Sequence, residues 1–173
     1  MPRPALTATL VATNVAIYAL APPADTYGLV PSHSTLLAMF TSMFLHADLV
    51  HLIGNLVFLA IAGTIVEPAI GHLRFAALYV TAGVVGAMVH ILVNPASCDT
   101  LVGASGAVCG LLAVVTILRP RTLPFVAALM VLNIWWAWTE TGGSVSFGCH
   151  LGGFVVGAMF ALIAQTRGSL EAA

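Results

Sequence analysis

Residues 50–69 of this chain, VHLIGNLVFLAIAGTIVEPA, are twenty mostly apolar residues with one acidic side chain, Glu67. A helix of about 20 such residues is long enough to cross the hydrocarbon core of a bilayer. Similar apolar runs, separated by proline, glycine and charged residues, occur on both sides of this one. They predict six membrane-spanning helices, over residues 5–22, 50–69, 73–93, 104–118, 122–139 and 147–166. The fourth span is short, so we expect its helix to start nearer Val102.

The composition also indicates a membrane protein. Of the 173 residues, 60% are hydrophobic and 6% are charged, whereas about 25% of the residues in a soluble domain are charged. This excludes a water-soluble enzyme, and a net charge of −1 without a basic patch excludes a nucleic-acid-binding protein. Six spans with short connections use the whole length. We therefore expect one all-α membrane domain over residues 1–173, with the lipid bilayer around it and no nucleic acid among its partners.

The charged residues divide between the two sides of the predicted membrane. The N-terminal segment, the loops after spans 2 and 4, and the C-terminal segment contain all the arginines: Arg3, Arg74, Arg119, Arg121 and Arg167. The loops on the other side contain acidic residues and no arginine: Asp25, Asp48, Asp99 and Glu140. Because arginine-rich loops stay cytoplasmic, both termini are predicted to be cytoplasmic, in an integral multi-pass protein of the plasma or inner membrane. The first run is long for a signal peptide, so we expect it to be retained.

The connection over residues 23–49 is long and partly apolar. Leu36, Leu37, Phe40 and Phe44 fall near one face of a helix that is too short to span a bilayer. Two interpretations are open for this segment. It is either an element that lies in the outer interface of the membrane or a plain amphipathic connector.

Four polar residues are predicted to lie at one depth below the outer surface. Spans 2, 4 and 6 all enter the membrane from outside, and near their starts stand His51 and Asn55, then Ser105, then His150. His51 and Asn55 are four residues apart and therefore share a helix face. Placing polar groups inside a bilayer costs free energy, so their presence there indicates a function. Serine and histidine can supply a nucleophile and a general base, while asparagine and a second histidine can donate hydrogen bonds to an oxyanion.

Spans 4 and 6 also carry glycines at a spacing that lets helix backbones come close. The pairs are Gly106 with Gly110 and Gly153 with Gly157. Close packing of these spans would bring the serine hydroxyl within hydrogen-bonding distance of the imidazole. The alternative is that the serine is a small packing residue and each histidine an interhelical hydrogen-bond donor. Because the nearest carboxylates lie in loops, a Ser–His dyad is favoured over a triad.

Four strings in the sequence, taken in order, point to a known family. They are His46-Ala-Asp-Leu-Val-His51-Leu-Ile-Gly-Asn55, Gly63-Thr-Ile-Val-Glu67-Pro-Ala-Ile-Gly71, Gly103-Ala-Ser105-Gly106 and His150-Leu-Gly-Gly153. Together, over about residues 5–166, they resemble the rhomboid intramembrane serine proteases, whose minimal core is a bundle of six transmembrane helices. The resemblance implies that fold and that activity for this chain.

The resemblance also implies a role for each matching residue. Ser105 corresponds to the nucleophile and His150 to its base, with no metal or cofactor. His51, Asn55 and Gly103 match the oxyanion and substrate-binding side, to which the Ser105 backbone N–H contributes. Glu67 matches a structural acid at the inner end of span 2, and the four glycines of spans 4 and 6 are structural.

Two features fall outside that pattern. Many rhomboids carry a Trp-Arg pair in the first outer loop, whereas the corresponding stretch here is Pro31-Ser-His33-Ser-Thr-Leu-Leu. No arginine is available there to brace the loop. His90 of span 3 matches no catalytic position, and we expect it to make an interhelical packing contact.

Three functions are candidates for a membrane protein with these polar residues. The first is an intramembrane serine protease that cleaves membrane-anchored proteins near the outer leaflet through an acyl-enzyme. The second is a non-catalytic rhomboid-like protein that binds transmembrane clients, an activity that usually accompanies loss of the serine or histidine. The third is a small transporter, which is disfavoured because the polar residues form one layer and not a ladder across the bilayer. A zinc protease is disfavoured because the sequence has no HExxH motif.

Overall fold

The computed structural model describes residues 3–139 and 146–166, so Glu140 and Arg167 lie outside the described part. In chain order the described helices are α1 (Ala5–Leu20), α2 (Ala24–Tyr27), α3 (Leu36–Thr41), α4 (Leu49–Ile70), α5 (His72–Val93), α6 (Ser105–Leu118), α7 (Leu123–Thr139) and α8 (Phe147–Thr166). Over the same residues, β structure is limited to a single bridge between Leu29 and Leu101. The prediction of an all-α fold is therefore confirmed.

Each of the six predicted spans coincides with one long helix, to within two residues at either end. The helices α4, α5 and α8 are long and apolar enough to cross a membrane. The remaining apolar helices, α1, α6 and the stretch Pro120–Leu132, are shorter. Length and composition thus support three crossings, while six crossings and the orientation of the termini stay predictions.

Two helix ends differ from the prediction for a local reason. Helix α1 ends two residues early because Ala21 adopts a left-handed conformation, with φ of 44°, and two prolines follow it. The expected start of the fourth span near Val102 is wrong. Gly103 has φ of 121°, outside the helical region, so α6 begins at Ser105.

Helix α6 is surrounded by α4, α5 and α8. Eleven of its fourteen residues are buried. By contrast, the outer faces of the surrounding helices expose large apolar side chains such as Val50 on α4 and Leu92 on α5, as expected where lipid is the solvent. Ser105, the first residue of α6, is therefore positioned by three neighbouring helices.

The connection before α4 folds into short helical pieces. It contains α2, a 3₁₀ turn at Pro31–His33, α3, and a second 3₁₀ turn at Ser42–Phe44. The Thr35 side chain caps α3 by accepting the Ala38 N–H at 3.0 Å. Leu36 and Leu37 are 81% and 67% exposed, so the apolar face predicted for this helix is largely uncovered by protein. Both interpretations of the segment, interfacial element and amphipathic connector, stay open.

Candidate active site

The side chains of Ser105 and His150 meet where α6 and α8 begin. Ser105 is the first residue of α6 and His150 the fourth of α8. The His150 Nε2 atom lies 2.7 Å from the Ser105 Oγ atom, which is the distance at which a general base can take a hydroxyl proton. His150 is 8% exposed, whereas Ser105 is half-buried. The serine is thus partly exposed, while the imidazole that contacts it is buried.

Backbone contact between α6 and α8 brings these two residues together. A Cβ atom built on Gly153 would collide with the carbonyl oxygen of Gly106, and one built on Gly157 would collide with that of Gly110. Only glycine allows the two backbones to lie this close. The two glycine pairs singled out in the sequence therefore face each other along the first two turns of α6, beginning directly after Ser105.

Helix α5 supports α8 from the other side, which the sequence analysis did not predict. A Cβ atom on Gly86 would lie 2.5 Å from the carbonyl oxygen of Cys149. A Cβ atom on Gly152 would lie 3.0 Å from the Cα atom of Gly86. The N-terminal half of α8 is therefore packed between the glycine faces of α5 and α6. The small residues of α5 at positions 82, 83, 86 and 87 were the available signal.

His51 and Asn55 face Ser105 across a cavity of about 200 Å³. All four of the polar residues predicted to converge line this cavity. Asn55 is 7% exposed, and its Nδ2 atom donates a hydrogen bond to the His51 carbonyl oxygen at 2.9 Å. An amide nitrogen carries two hydrogens, so this bond occupies one of them. The other is available to a group inside the cavity.

Gly103 lies against the His51 ring. With φ of 121°, Gly103 is in a region that other residues rarely adopt, and a Cβ atom there would lie 2.7 Å from His51 Nε2. Its backbone N–H donates to the Ser42 carbonyl oxygen at 2.9 Å. The positive φ and the short distance to His51 explain why a glycine is found at this position. The segment leading to Ser105 passes directly beside the His51 imidazole.

Glu67 lies near the opposite end of α4 and binds the N-terminus of α1. Its side chain is fully buried and accepts the Leu6 N–H at 2.8 Å and the Thr7 N–H at 2.7 Å. The Thr7 hydroxyl and the His72 Nδ1 atom are each 2.5 Å from a carboxylate oxygen. The first N–H groups of a helix have no partner within the helix and attract an anion. Glu67 thereby joins α1 to α4 and lies outside the cavity that contains Ser105.

Two residues near the site, His46 and Ser146, make contacts that could not be read from the sequence. His46, just before α4, has its ring 5.2 Å from that of His51, and burial lowers the pKa of His46 to about 4, so it is neutral at pH 7. The Ser146 Oγ atom lies 2.5 Å from the Nδ1 atom of His90. His90 therefore has the interhelical partner expected of it. A serine four residues before His150 was the sequence signal for a helix cap there.

Within residues 3–139 and 146–166, no group of three or more histidine, cysteine or acidic side chains is placed to hold a metal ion. Among the residues that line the cavity are the serine hydroxyl, two imidazoles, the asparagine amide and the Cys109 thiol. This set can carry out acyl transfer, in which a hydroxyl attacks a carbonyl, a base takes the proton and donors bind the oxyanion.

Comparisons with known proteins agree with this description. The sequence matches the Rhomboid domain over residues 33–167. It is 32% identical over 127 residues to Rhomboid-like protease 5 of Toxoplasma gondii and 30% identical over 138 residues to RHOMBOID-like protein 5 of Arabidopsis thaliana. These alignments cover 68% and 73% of this chain but only 15% and 45% of the two relatives. The chain therefore spans less than half the length of either one.

Proposed function

This chain belongs to the rhomboid family, and on that basis we propose that it is an intramembrane serine protease in which Ser105 is the nucleophile and His150 the general base. The observation that carries the proposal is the 2.7 Å distance between Ser105 Oγ and His150 Nε2. The two atoms belong to α6 and α8, which are far apart in the sequence. A serine present only for packing would not need an imidazole nitrogen at this position.

The proposed reaction proceeds through an acyl-enzyme. His150 Nε2 takes the Ser105 proton while Oγ forms a bond to the carbonyl carbon of the scissile peptide. When the carbon–nitrogen bond breaks, the protonated imidazole gives that proton to the leaving amine. Water then attacks the ester carbon while His150 accepts a proton from it. As the bond between that carbon and Oγ breaks, the imidazole returns the proton to Ser105 Oγ and a carboxylic acid product leaves.

The oxyanion of the tetrahedral intermediate has three candidate donors. They are the backbone N–H of Ser105, the free N–H of the Asn55 amide and the His51 ring. The first lies at the N-terminus of α6, where the N–H groups lack partners within the helix and the helix dipole favours a negative charge. Asn55 and His51 line the same cavity as the nucleophile. Donors already in place are expected to contribute more than donors that must reorganise during the reaction.

The proposed substrates are membrane-anchored proteins cut near the outer leaflet. The exposed apolar faces of α4 and α5 are suited to a lipid environment, and a cavity of about 200 Å³ has room for a side chain beside the scissile bond. With the arginine-bearing segments in the cytoplasm, the starts of α4, α6 and α8 would open to the outer side of the plasma or inner membrane. The Toxoplasma relative is named a protease, which supports the proposed proteolytic activity.

The alternative is a rhomboid-like protein that binds transmembrane clients without cleaving them. The Arabidopsis relative is named only as a rhomboid-like protein. A binding protein has no need of a nucleophile, and the hydrogen bond between Ser105 and His150 therefore favours the protease.

Labelling with a serine-reactive fluorophosphonate probe in detergent separates the two functions. We expect wild-type protein to be labelled at Ser105, Ser105→Ala to lose the label and His150→Ala to be labelled far more slowly. Ser34→Ala, which removes a hydroxyl from the 23–49 connection, is the matched control and should label as wild type. A wild-type protein that folds but is not labelled would favour the binding protein.

A further inference from the structure

The first turn of α8, which carries His150, is fixed by a hydrogen-bonded pair outside the cavity. Ser146 precedes the helix and is 8% exposed. Its Oγ atom accepts the Cys149 N–H at 3.0 Å and its carbonyl oxygen accepts the His150 N–H at 3.1 Å. Ser146 thus makes the N-terminal cap of α8 and bonds directly to the backbone of the proposed base.

The Ser146 hydroxyl is itself oriented by His90. The Oγ atom lies 2.5 Å from the Nδ1 atom of His90, on the last turn of α5. The Nδ2 atom of Asn94, which can only donate, lies 3.4 Å from the same Nδ1 atom. The Ser146 hydroxyl can donate to Nδ1 or accept from it, and in either case its oxygen keeps a lone pair for the Cys149 N–H.

The backbones of α5 and α8 are also in contact at this point. A Cβ atom on Gly148 would lie 3.3 Å from the His90 Cα atom. One turn further along, α8 rests on α6 through Gly153. His150 stands between these two contacts, so its position relative to Ser105 depends on both of them.

We propose that Ser146 and His90 are positioning residues for the general base. Through the bonds from Ser146 to the first turn of α8, they fix the depth and direction of the His150 imidazole against Ser105. This proposal rests on the protease function. Neither residue lines the cavity, so neither is expected to touch substrate. Displacing a catalytic group by about 1 Å can lower a rate by about 100-fold, so a contact outside the cavity can govern turnover.

The test compares Ser146→Ala and His90→Leu, which each remove one partner, with His90→Asn, whose amide oxygen can accept near the original position of Nδ1. kcat and KM are measured on a single-span substrate in proteoliposomes, and the rate of Ser105 labelling by the fluorophosphonate probe is measured in parallel. We expect Ser146→Ala and His90→Leu to lower kcat and the labelling rate by about 10- to 100-fold, with little change in KM. His90→Asn should restore most of both rates.

Further variants separate positioning from a general loss of structure. Thr81→Val removes a hydroxyl that bonds only within α5 and should keep the wild-type kcat. The double variant His90→Leu/Ser146→Ala should be no slower than the slower single variant, because the two residues act through one bond. Thermal stability is recorded for each preparation, so that kcat is compared on folded protein.

Two results would contradict the proposal in distinguishable ways. If wild-type protein cleaves and labels while folded Ser146→Ala and His90→Leu keep its kcat and labelling rate, the protease stands and the positioning role is wrong. If folded wild-type protein neither cleaves nor labels, the protease function itself is wrong, and the positioning role fails with it.

Discussion

A serine hydroxyl is a weak nucleophile until a base accepts its proton, so the proposed protease chemistry depends on one contact between two side chains. Ser105 Oγ and His150 Nε2 are 2.7 Å apart. Around them, His51 and Asn55 complete a cavity whose polar groups can bind a developing negative charge. Substitution can show whether His51 and Asn55 act in catalysis or only in packing.

Asn55→Ala tests the oxyanion role. Removing one such donor typically costs about 100- to 1000-fold in turnover, and because two other donors remain we expect a loss of about 100-fold in kcat. KM should change little, since the bond strengthens only in the transition state. The matched control is Asn14→Ala. Asn14 is fully buried and its amide also bonds the carbonyl four residues back, to Leu10 on α1.

The two asparagine variants distinguish catalysis from stabilisation. Kinetics and thermal unfolding are measured on the same preparations. Asn14→Ala should lower stability and leave the kcat of folded protein at the wild-type value. If Asn55→Ala behaves in the same way, its amide only stabilises the fold, through its bond to the His51 carbonyl oxygen within α4, and the oxyanion role is wrong.

Glu67→Gln tests the attachment of α1. The buried carboxylate accepts from Leu6, Thr7 and His72, and an amide NH₂ in place of one oxygen would face a donor. Hydrogen bonds to a charged group contribute about 1.5–3 kcal/mol, so the free energy of unfolding should fall by about 2 kcal/mol. Thr9→Val on the exposed face of α1 is the control. A Glu67→Gln protein as stable as the control would show that the carboxylate does not join α1 to α4.

The identities of the site residues and the contact between Ser105 and His150 could be predicted, but the other hydrogen bonds around the site could not. Ser105 and His150 stand out because polar residues are rare in apolar runs. The serine at position 146 was a signal for a helix cap, but its bond to His90 could not be predicted, because His90 comes from a distant helix. Likewise, the hydrogen bond from Asn55 to its own helix is a choice of rotamer, which composition and spacing leave undetermined.

At the scale of helices, close contact between the backbones of α6 and α8 positions the site. Gly106 and Gly110 of α6 meet Gly153 and Gly157 of α8, and this contact allows one short helix to sit at the centre of the others. Sequence spacing predicted that contact, because two glycines four apart form a flat strip on a helix. It did not predict the contribution of α5, since small residues occur on several of its faces.

Gly153→Ala tests whether this contact sets the distance between nucleophile and base. The added Cβ atom would collide with the Gly106 carbonyl oxygen, which is backbone and cannot rotate away, so α6 and α8 must separate. We expect both thermal stability and kcat to fall, the latter by at least about 100-fold. Gly54→Ala on α4 is the matched control for stability, because a Cβ atom there meets nothing within 4 Å.

The Gly54→Ala control shows the effect of an added methyl group on a helix where it meets no neighbour. In a helix interior alanine is favoured over glycine by about 0.5–1 kcal/mol, so Gly54→Ala should be at least as stable as wild type. A Gly153→Ala protein with wild-type stability and kcat would mean that the two helices can separate without disturbing the site. The glycine contact would then not be what positions the dyad.

For the whole molecule, the distribution of arginine predicts the orientation in the membrane. Because every arginine falls on one side under a six-span arrangement, both termini should be cytoplasmic. Reporter fusions at the C-terminus should be active only for a reporter that works in the cytoplasm, and Ser105 would then face the outer side. The control is a fusion in the loop after α5, which should give the opposite signal. An outside signal at the C-terminus would overturn the orientation and the shared depth of the polar residues.

Cleavage of a single-span substrate in proteoliposomes tests the proposed protease most directly. Wild-type protein should cleave it, and Ser105→Ala and His150→Ala should each abolish turnover. The double variant should be no worse than either single one, because residues that act as a unit lose their effect together. Substantial cleavage by folded Ser105→Ala would contradict the proposal and require another nucleophile, with the neighbouring Cys149 the first to test.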